Sequence, residues 1–396
     1  MKVTLIGLGC GDAGTITTHA REALAQAEAI LGAKRLLESL PEARARRFAE
    51  IRPEAIRDLL KEGPWEDACV VLSGDTGFYS GAKKLIPLLE EAQMAVEVIP
   101  GVSSLQYFAA KLHATWQDWR LCSAHGVEVD PVAEVCRGQE VFFLTGGAIT
   151  PAELCRRLTA AGLGELPVAV GENLAYPQER ILRGTARELA GEVFAPLSVM
   201  LAAAPPRPRR SLPGIPDEEF SRGKVPMTKQ EVRAAILAKL APKPEEICWD
   251  IGAGTGSVSV ELALNSQGVW AVERKPEACD LIRENRRKFA AWNLRLIEGT
   301  APEALTGLPA PDVVFVGGSG RQMGGILESV AQTAPQARVC VSAIALETLH
   351  EAAQGLSKLG YQVEITQLSV SRTQEVGELH LLLAQNPVFL ILGWKP

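Results

Sequence analysis

Short hydrophobic runs alternate along the carboxyl half of this chain with stretches in which apolar residues recur every three or four positions. The runs lie at residues 247–251, 268–273, 294–298, 312–317 and 338–343. This alternation predicts parallel strands joined by helices, and therefore a doubly wound sheet. Two longer runs, 361–371 and 377–394, follow each other without a helix between them, and Asn386-Pro387 interrupts the second. We expect them to close the sheet as an antiparallel pair.

The amino half repeats the alternation of buried runs and helical stretches but ends differently. Its predicted strands lie at residues 2–7, 69–72, 96–99, 141–144 and 168–173. The last two runs of this half, 179–184 and 197–203, come without long helical stretches between them. The second part of this half is therefore expected to be an antiparallel, α+β lobe.

A change of composition separates the two halves. Residues 204–216 are rich in proline and arginine, and proline removes backbone donors and favours extended linkers. We predict an amino-terminal domain at 1–205, a Pro/Arg-rich linker at 206–226 and a carboxyl-terminal domain at 227–396. After the linker, Thr228 with Glu231 three residues later predicts a capping box at a helix start.

The glycine loop of the carboxyl half points to a nucleotide-like ligand. A strand runs into residues 252–256 (GAGTG), and after a helical stretch the next strand ends at Glu273. Glycines let backbone N–H groups approach a ligand, and an acid at this place can accept hydrogen bonds from both ribose hydroxyls. A tight turn with a solvated glutamate is the alternative interpretation. The spacing G-x-G-x-G differs from the G-x-G-x-x-G of dinucleotide sites and favours S-adenosylmethionine, which has no pyrophosphate.

Other loops are expected at the carboxyl ends of strands, where open α/β sheets meet their ligands. In the carboxyl half, residues 298–303 are expected to meet an adenine, and residues 316–320 to face the substrate. In the amino half, Asp75 follows a strand between two glycines. Ser103 or Ser104 is expected to cap a helix or to face a ligand.

Composition and charge limit the classes of function. The chain has 396 residues, 47% hydrophobic and 22% charged, which is ordinary for two or three globular domains. Its net charge of −6 argues against binding nucleic acid by general phosphate attraction. Eight cysteines without a C-x-x-C pair predict no zinc site or disulfide framework, and they favour the reducing cytoplasm. We expect no signal peptide and no membrane span, which needs roughly 18 to 20 apolar residues.

The ordered motifs of the chain are similar to those of a known family. The amino half resembles the tetrapyrrole methylases in GLGCGD at 7–12, SGD at 73–75, PGVSS at 100–104 and GENLAYP at 171–177. It departs from them at Cys10 and Thr76, where the family usually has proline. The carboxyl half resembles Rossmann-like, decarboxylating methyltransferases in KVPMTK at 224–229 and DIGAGTG at 250–256. Over essentially its full length the chain resembles the fused precorrin C5,15-methyltransferases (decarboxylating) of cobalamin biosynthesis.

The resemblance implies an α/β fold. A two-lobed tetrapyrrole methylase domain would precede a Rossmann-like methyltransferase with a doubly wound, mostly parallel sheet and antiparallel closing strands. It implies one S-adenosyl-L-methionine site per domain. The implied contacts are Cys10, Asp75, Phe78, Ser103 and Ser104 in the amino half, and Thr228, Gly252, Ala253, Gly254, Thr255, Gly256, Glu273 and Ala301 in the carboxyl half. Only Glu273 and the glycines follow from the residues themselves.

The resemblance also implies a substrate and a reaction. A precorrin or cobalt-precorrin would be methylated at carbon 5 by the amino-terminal domain. The carboxyl-terminal domain would methylate carbon 15 and remove the carboxyl group of an acetate side chain. A homo-oligomer is expected, with no nucleic-acid or membrane partner.

The substrate carries many carboxylates, so basic residues near the glycine loops are expected to bind it. The candidates are Lys229, Arg233, Arg321 and Arg372, each of which is also compatible with a solvated surface position. No metal ligand or catalytic base is predicted, because the histidines are dispersed. They are His19, His113, His125, His350 and His380.

Three alternatives stay open at this point. The carboxyl half is also compatible with an RNA or protein methyltransferase, fused to an amino half with a degenerate site. Glu273 on a ribose is also compatible with a NAD-linked oxidoreductase. The departures at Cys10 and Thr76 leave room for a non-catalytic amino half.

Overall fold

The structure is a computed structural model that describes residues 1–40, 44–206 and 213–395. The chain divides into two compact units. The first comprises Met1–Pro131, Gln139–Ala160 and Gly164–Ala203, and the second comprises Val132–Gly138, Ala161–Leu163 and the chain from Ala204 onward. Among the described residues, none of the helices has the length and apolar character needed to cross a membrane.

The first lobe of the amino-terminal unit is a five-stranded parallel sheet. Its strands are β1 (Lys2–Gly7), β2 (Ala29–Gly32), β3 (Arg46–Ala49), β4 (Asp67–Leu72) and β5 (Ala95–Ile99), in the order β3-β2-β4-β1-β5. Its helices are α1 (Thr18–Gln26), α2 (Lys34–Ser39), α3 (Pro53–Glu62), α4 (Ala82–Glu91) and α5 (Ser104–Leu112). Apolar side chains pack on both faces of the sheet, as the buried runs of the sequence predict.

The second lobe is a five-stranded sheet in which the three late strands pair antiparallel. Its strands are β6 (Arg120–Ser123), β7 (Val141–Leu144), β8 (Pro167–Glu172), β9 (Arg180–Thr185) and β10 (Ser198–Ala202), in the order β6-β7-β10-β8-β9. The helices that follow α5 in this half are α6 (Pro131–Val135), α7 (Pro151–Ala160) and α8 (Ala186–Leu189). The expected α+β lobe is confirmed.

The second unit is built on a seven-stranded sheet. The strands of this sheet are β11 (Ile247–Ile251), β12 (Gly268–Glu273), β13 (Leu294–Glu298), β14 (Val313–Val316), β15 (Arg338–Ala343), β16 (Gln362–Leu368) and β19 (Val388–Trp394), and the unit also contains β17 (Ser371–Val376) and β18 (Leu379–Ala384). Its helices are α9 (Gln230–Leu240), α10 (Ser257–Ala263), α11 (Pro276–Lys288), α12 (Met323–Thr333) and α13 (Leu346–Lys358). Short 3₁₀ turns occupy Ala13–Thr15, Asp217–Glu219 and Glu303–Leu305.

The strand order of this sheet is β13-β12-β11-β14-β15-β19-β16. β11 to β15 are parallel, and β19 runs antiparallel between β15 and β16. The order reverses between β11 and β14, which is where ligands bind in such sheets. The predicted doubly wound sheet with antiparallel closing strands is confirmed.

The first predicted closing strand, 361–371, corresponds to β16, which ends at Leu368. The second is divided at residues 385–387, as the sequence predicted, because Pro387 has no N–H to donate to a ladder. The sequence did not predict β17, which begins at Ser371. Within the described part of the chain, β17 and β18 pair with each other alone, as a separate two-stranded sheet.

The predicted capping box at Thr228 is wrong. Lys229 is the N-cap of α9, and no side chain caps this helix. The Thr228 carbonyl instead accepts a hydrogen bond from the Arg233 guanidinium. By contrast, Ser103 caps α5 in a reciprocal pair with Gln106, as one of the two interpretations predicted.

The described part of the predicted linker packs on the second unit. Residues 207–212 of the linker lie outside the described residues. Ile215 and Phe220 are each 3% exposed and belong to the core of that unit. The backbone N–H groups of Gly214 and Ile215 donate to the Glu261 carboxylate, at 2.7 and 3.1 Å. Residues 213–226 are therefore part of that unit's fold, and the domain boundary near residue 205 stays a prediction.

Candidate active sites

Glu273 is a fixed carboxylate at the end of β12. Its side chain is 8% exposed. One oxygen accepts a hydrogen bond from the backbone N–H of Gly254 at 2.8 Å. The other accepts from the N–H groups of Arg274 and Lys275 at 2.8 and 3.0 Å. These bonds tie the acid to the glycine loop and fix the orientation of its carboxylate.

The glycine loop has a backbone that only glycine adopts readily. Gly252, Gly254 and Gly256 have φ of +72°, +59° and +76°, in the left-handed region. A Cβ on Gly252 would lie 2.4 Å from the carbonyl oxygen of Gly318. The loops after β11 and β14 therefore approach each other more closely than any side chain permits.

Asp250 lies directly before this loop and is fully buried. Ser259 donates a hydrogen bond to one of its carboxylate oxygens. The other oxygen has no partner among the described residues. Burial, with a smaller contribution from Glu273, raises the pKa of Asp250 to about 7. Asp250 itself lines neither of the cavities at this loop.

Two cavities meet at the glycine loop. The first, here called the Glu273 cavity, has a volume of about 300 Å³. Its walls include Gly252, Gly254, Glu273, Thr300, Ala301 and Gly318. The second, the Thr228 cavity, has about 280 Å³. Its walls include Thr228, Lys229, Ala253, Thr255, Ser342 and Asn386. Pro226, Gly252, Gly254 and Gly317 line both, so the loop is a wall shared by two neighbouring spaces.

Most of the predicted contacts of the carboxyl half lie on these cavities. The exception is Gly256, which lines neither; its backbone begins α10, and a Cβ there would lie 2.9 Å from Ile282. The loops at 298–303 and 316–320 both contribute to the Glu273 cavity. The sequence predicted that the second of these loops faces the substrate. Of its residues, Gly317 also lines the Thr228 cavity.

Arg233 is not available to a substrate, so its prediction as a substrate ligand is corrected here. The side chain is 0% exposed. Its guanidinium donates to Glu261 and to Asp217, each at 2.8 Å, and lies 4.7 Å from the Phe220 ring centre. It is the central cation of a buried network that holds the segment before α9.

The other three basic candidates differ in their surroundings. Lys229 lines the Thr228 cavity. The Arg372 guanidinium lies 2.6 Å from Glu231 and 3.2 Å from Asp217, and the pairing raises its pKa. Arg321 follows Gly320, which lines the Glu273 cavity, but Arg321 itself does not line it. Lys229 is thus the candidate that a cavity supports best.

The amino-terminal unit has its own cavity, here called the amino-terminal cavity, of about 320 Å³. All the predicted contacts of this half line it, and they follow strands of the first lobe. They are Cys10, Asp75, Phe78, Ser103 and Ser104. The second lobe contributes His125, Thr145, Tyr176 and Ser198.

Backbone contacts hold the first-lobe wall of this cavity. Asp75 accepts hydrogen bonds from the N–H groups of Gly77 at 2.9 Å and Gly101 at 3.1 Å, one on each oxygen. The Cys10 thiol donates to the Val102 carbonyl at 3.4 Å, and burial raises its pKa to about 12. Cys10 is therefore a neutral thiol that shapes the wall.

The sequence missed Arg35 as a member of this cavity. Its guanidinium donates to the Tyr176 hydroxyl at 2.7 Å and to the Ser73 hydroxyl at 2.9 Å. Arg35 is the one arginine or lysine among the lining residues. No motif surrounds it, and Tyr176 lies far along the chain, so only the fold brings them together. Within the described residues, no group of three or more His, Cys, Asp or Glu side chains is placed to hold a metal.

Comparison with known proteins identifies the family. Residues 2–190 match the model of the tetrapyrrole (corrin/porphyrin) methylases, and residues 218–395 match the model of the precorrin methyltransferase domain. A Mycobacterium tuberculosis protein named precorrin-6Y C(5,15)-methyltransferase [decarboxylating] is 30% identical over 408 residues, covering 100% of this chain and 97% of its own length. The chain belongs to the precorrin-6Y C(5,15)-methyltransferase family.

Two further relatives extend this assignment. A family member from Sinorhizobium sp. is 28% identical over 406 residues, covering 100% of this chain and 94% of its own length. A Sulfurisphaera tokodaii protein named probable cobalt-precorrin-6B C(15)-methyltransferase (decarboxylating) is 38% identical over 190 residues, covering 47% of this chain and 99% of its own length.

Membership of the precorrin-6Y C(5,15)-methyltransferase family confirms the resemblance found in the sequence. The chain is an S-adenosylmethionine-dependent methyltransferase that acts on carbon. The NAD-linked oxidoreductase and the RNA or protein methyltransferase are not supported.

Proposed function

We propose that this methyltransferase has two active sites that act on one precorrin. The amino-terminal cavity methylates carbon 5. The two cavities of the second unit methylate carbon 15 and release the carboxyl group of an acetate side chain as CO₂. The observation that carries the proposal is that each half has its own glycine-lined cavity at the ends of parallel strands. The name of the half-length relative, a C(15)-methyltransferase (decarboxylating), supports the assignment for the carboxyl half.

In the carboxyl-terminal site, the cofactor and the precorrin would occupy different cavities. S-adenosylmethionine supplies, when bound, a methyl group attached to a positively charged sulfur. Glu273 would accept hydrogen bonds from the ribose hydroxyls, and Ala301 would line the space for the base. The precorrin would enter the Thr228 cavity, where Lys229 offers a charge to a carboxylate.

The residues of this site would act by alignment and by excluding water. A carbon of a reduced tetrapyrrole is already electron-rich, so its attack needs no strong protein base. The glycine loop is the wall shared by both cavities, which allows donor and acceptor carbon to meet there. The close approach of Gly252 to Gly318 brings the loops after β11 and β14 together at this wall.

The decisive experiment is incubation of the full chain with metal-free and cobalt-loaded precorrin, followed by mass spectrometry. We expect gain of two methyl groups and loss of one CO₂ with at least one of these substrates. Calorimetry should find two equivalents of S-adenosylmethionine per chain. A single equivalent would disprove the proposal of one site per half, and no change of mass with either substrate would disprove the proposed reaction.

In the amino-terminal cavity, Arg35 is proposed to bind a carboxylate of the precorrin. Its two hydrogen bonds to hydroxyl groups hold the guanidinium in place without neutralising it. Arginine recognises carboxylates with two parallel hydrogen bonds, which lysine does not reproduce.

Replacement of Arg35 by alanine should raise KM for carbon-5 methylation by roughly 10- to 100-fold, since hydrogen bonds to charged groups contribute about 1.5–3 kcal/mol. Arg35→Lys should recover only part of the loss, and Tyr176→Phe, which keeps the cation, should have a smaller effect. Initial rates at varied precorrin concentration give KM, and calorimetry should show unchanged S-adenosylmethionine binding. An unaltered KM in Arg35→Ala would rule out this role.

A homo-oligomer is also proposed, through the β17–β18 hairpin. Leucine side chains are exposed on both faces of β18, with Leu379 at 65%, Leu382 at 72% and Leu383 at 50%. A two-stranded hairpin is only marginally stable in water, and large exposed apolar patches mark interfaces. A second copy of this surface would cover the same leucines, as a twofold interface does.

Substitution of Leu379 and Leu382 together by glutamate should therefore shift the protein towards monomer. Sedimentation velocity at micromolar concentration gives the oligomeric state. The matched control is Val193→Glu, because Val193 is an apolar residue of the other unit that is 86% exposed. A wild-type protein that sediments as a monomer would remove the basis for this proposal.

We also propose that the protein works in the reducing cytoplasm. All eight cysteines are free thiols in the structure. Five of them are buried, and burial raises the pKa of Cys248 and of Cys340 to about 12. Such thiols are typical of proteins from compartments without disulfide formation.

A further inference from the structure

His125 is the one histidine of the amino-terminal cavity, although the sequence marked none of the five as a base. It lies in the turn after β6, on the second lobe. Across the same cavity lie Cys10, Asp75 and Ser103, which are proposed to contact S-adenosylmethionine. The fold therefore places an imidazole on the wall that faces the proposed methyl donor.

The surroundings of His125 favour one tautomer. Its Nδ1 lies 3.5 Å from the carbonyl oxygen of Thr145, which can only accept, so this contact is a hydrogen bond in the tautomer with the proton on Nδ1. Thr145 is itself buried, and its hydroxyl donates to the Ser198 carbonyl at 2.6 Å. Gly146 packs so closely that a Cβ would lie 2.0 Å from Nδ1. In this tautomer the ring is held by its Nδ1 edge, and Nε2 has the lone pair.

The other ionisable groups on this wall are engaged. Both oxygens of Asp75 accept backbone hydrogen bonds. The Cys10 thiol stays neutral because burial raises its pKa to about 12. The Tyr176 hydroxyl accepts from Arg35, and the Tyr79 hydroxyl donates to the Leu121 carbonyl at 3.2 Å. Among the lining residues, His125 is therefore the side chain suited to take a proton.

The proposed reaction produces a proton at this site. When a ring carbon that bears hydrogen receives a methyl group, it has four single bonds and interrupts the conjugation of the macrocycle. Conjugation returns when the C–H bond of that carbon breaks, its electron pair enters the ring system and its proton leaves. Nothing is oxidised or reduced in this step. We infer that His125 Nε2 accepts this proton, an inference that rests on carbon-5 methylation in the amino-terminal cavity.

The test compares His125→Gln and His125→Ala with the wild-type chain. Carbon-5 methylation should slow by about 100-fold or more, since general bases contribute roughly 10²- to 10⁴-fold. Binding of S-adenosylmethionine, measured by calorimetry, should stay at two equivalents, and carbon-15 methylation with CO₂ loss should be unchanged. Added imidazole should restore part of the rate of His125→Ala. The matched control is His19→Gln, because the side chain of His19 is 63% exposed in the same unit.

Nitrogen-15 NMR of histidine-labelled protein gives a readout that does not depend on activity. The signal that disappears in His125→Gln should show a protonated Nδ1 and an unprotonated Nε2. The opposite tautomer, full activity of His125→Gln, or loss of S-adenosylmethionine binding without imidazole rescue would overturn the inference. Failure of the wild-type chain to methylate carbon 5 would instead overturn the proposed function.

Discussion

Replacement of Arg233 by methionine should destabilise the second unit by about 3–5 kcal/mol, because removal of one partner leaves buried charges unpaired. The carboxylates of Asp217 and Glu261 are 4% and 1% exposed, and each lies 2.8 Å from the guanidinium. Glu261 also accepts from the backbone of Gly214 and Ile215. Arg233 therefore links the segment before α9 to α10.

Urea unfolding of the full chain, followed by tryptophan fluorescence, measures this loss, since Trp249 is fully buried in the same unit. The control is Arg372→Ala, which removes an exposed partner of the same Asp217 and should cost less than about 1 kcal/mol. Adding Asp217→Asn and Glu261→Gln to Arg233→Met should recover part of the stability. Unchanged unfolding together with weaker precorrin binding would instead support a substrate-binding role for Arg233.

Replacement of Glu273 by alanine should weaken S-adenosylmethionine binding at the carboxyl-terminal site by at least about 100-fold. Hydrogen bonds to a carboxylate contribute about 1.5–3 kcal/mol each, and a ribose would make two. The substitution also frees the backbone of Gly254, which the carboxylate holds at 2.8 Å. Calorimetry should then find one equivalent in place of two. Carbon-15 methylation and CO₂ loss should cease, and carbon-5 methylation should continue.

The matched control for this prediction is Glu298→Ala. Glu298 ends the neighbouring strand in register with Glu273, but its side chain is 56% exposed and pairs with Arg283. The Glu298→Ala variant should bind two equivalents of S-adenosylmethionine, as is expected of the wild type. Two tight equivalents in Glu273→Ala would show that this carboxylate does not hold the cofactor.

The sequence alone predicted the features that depend on local pattern. The strands at 247–251, 268–273, 294–298 and 338–343 have the predicted bounds, because buried parallel strands are continuous apolar runs. The loop at 252–256 was predictable because its left-handed backbone requires glycine. Glu273 followed from its place at a strand end, and the structure brings it to the loop through the Gly254 hydrogen bond.

The tertiary structure decided which side chains share a space. As an arginine on a predicted helix, Arg233 was compatible with a surface position, and only the packing of 213–220 buries it. Arg35 and Tyr176 are 141 residues apart, and no sequence pattern connects them. The same holds for His125, whose Nδ1 lies 3.5 Å from a carbonyl oxygen 20 residues away. Periodicity reports the face on which a residue lies, whereas charge pairing, proton position and cavity membership depend on partners that the chain supplies from distant segments.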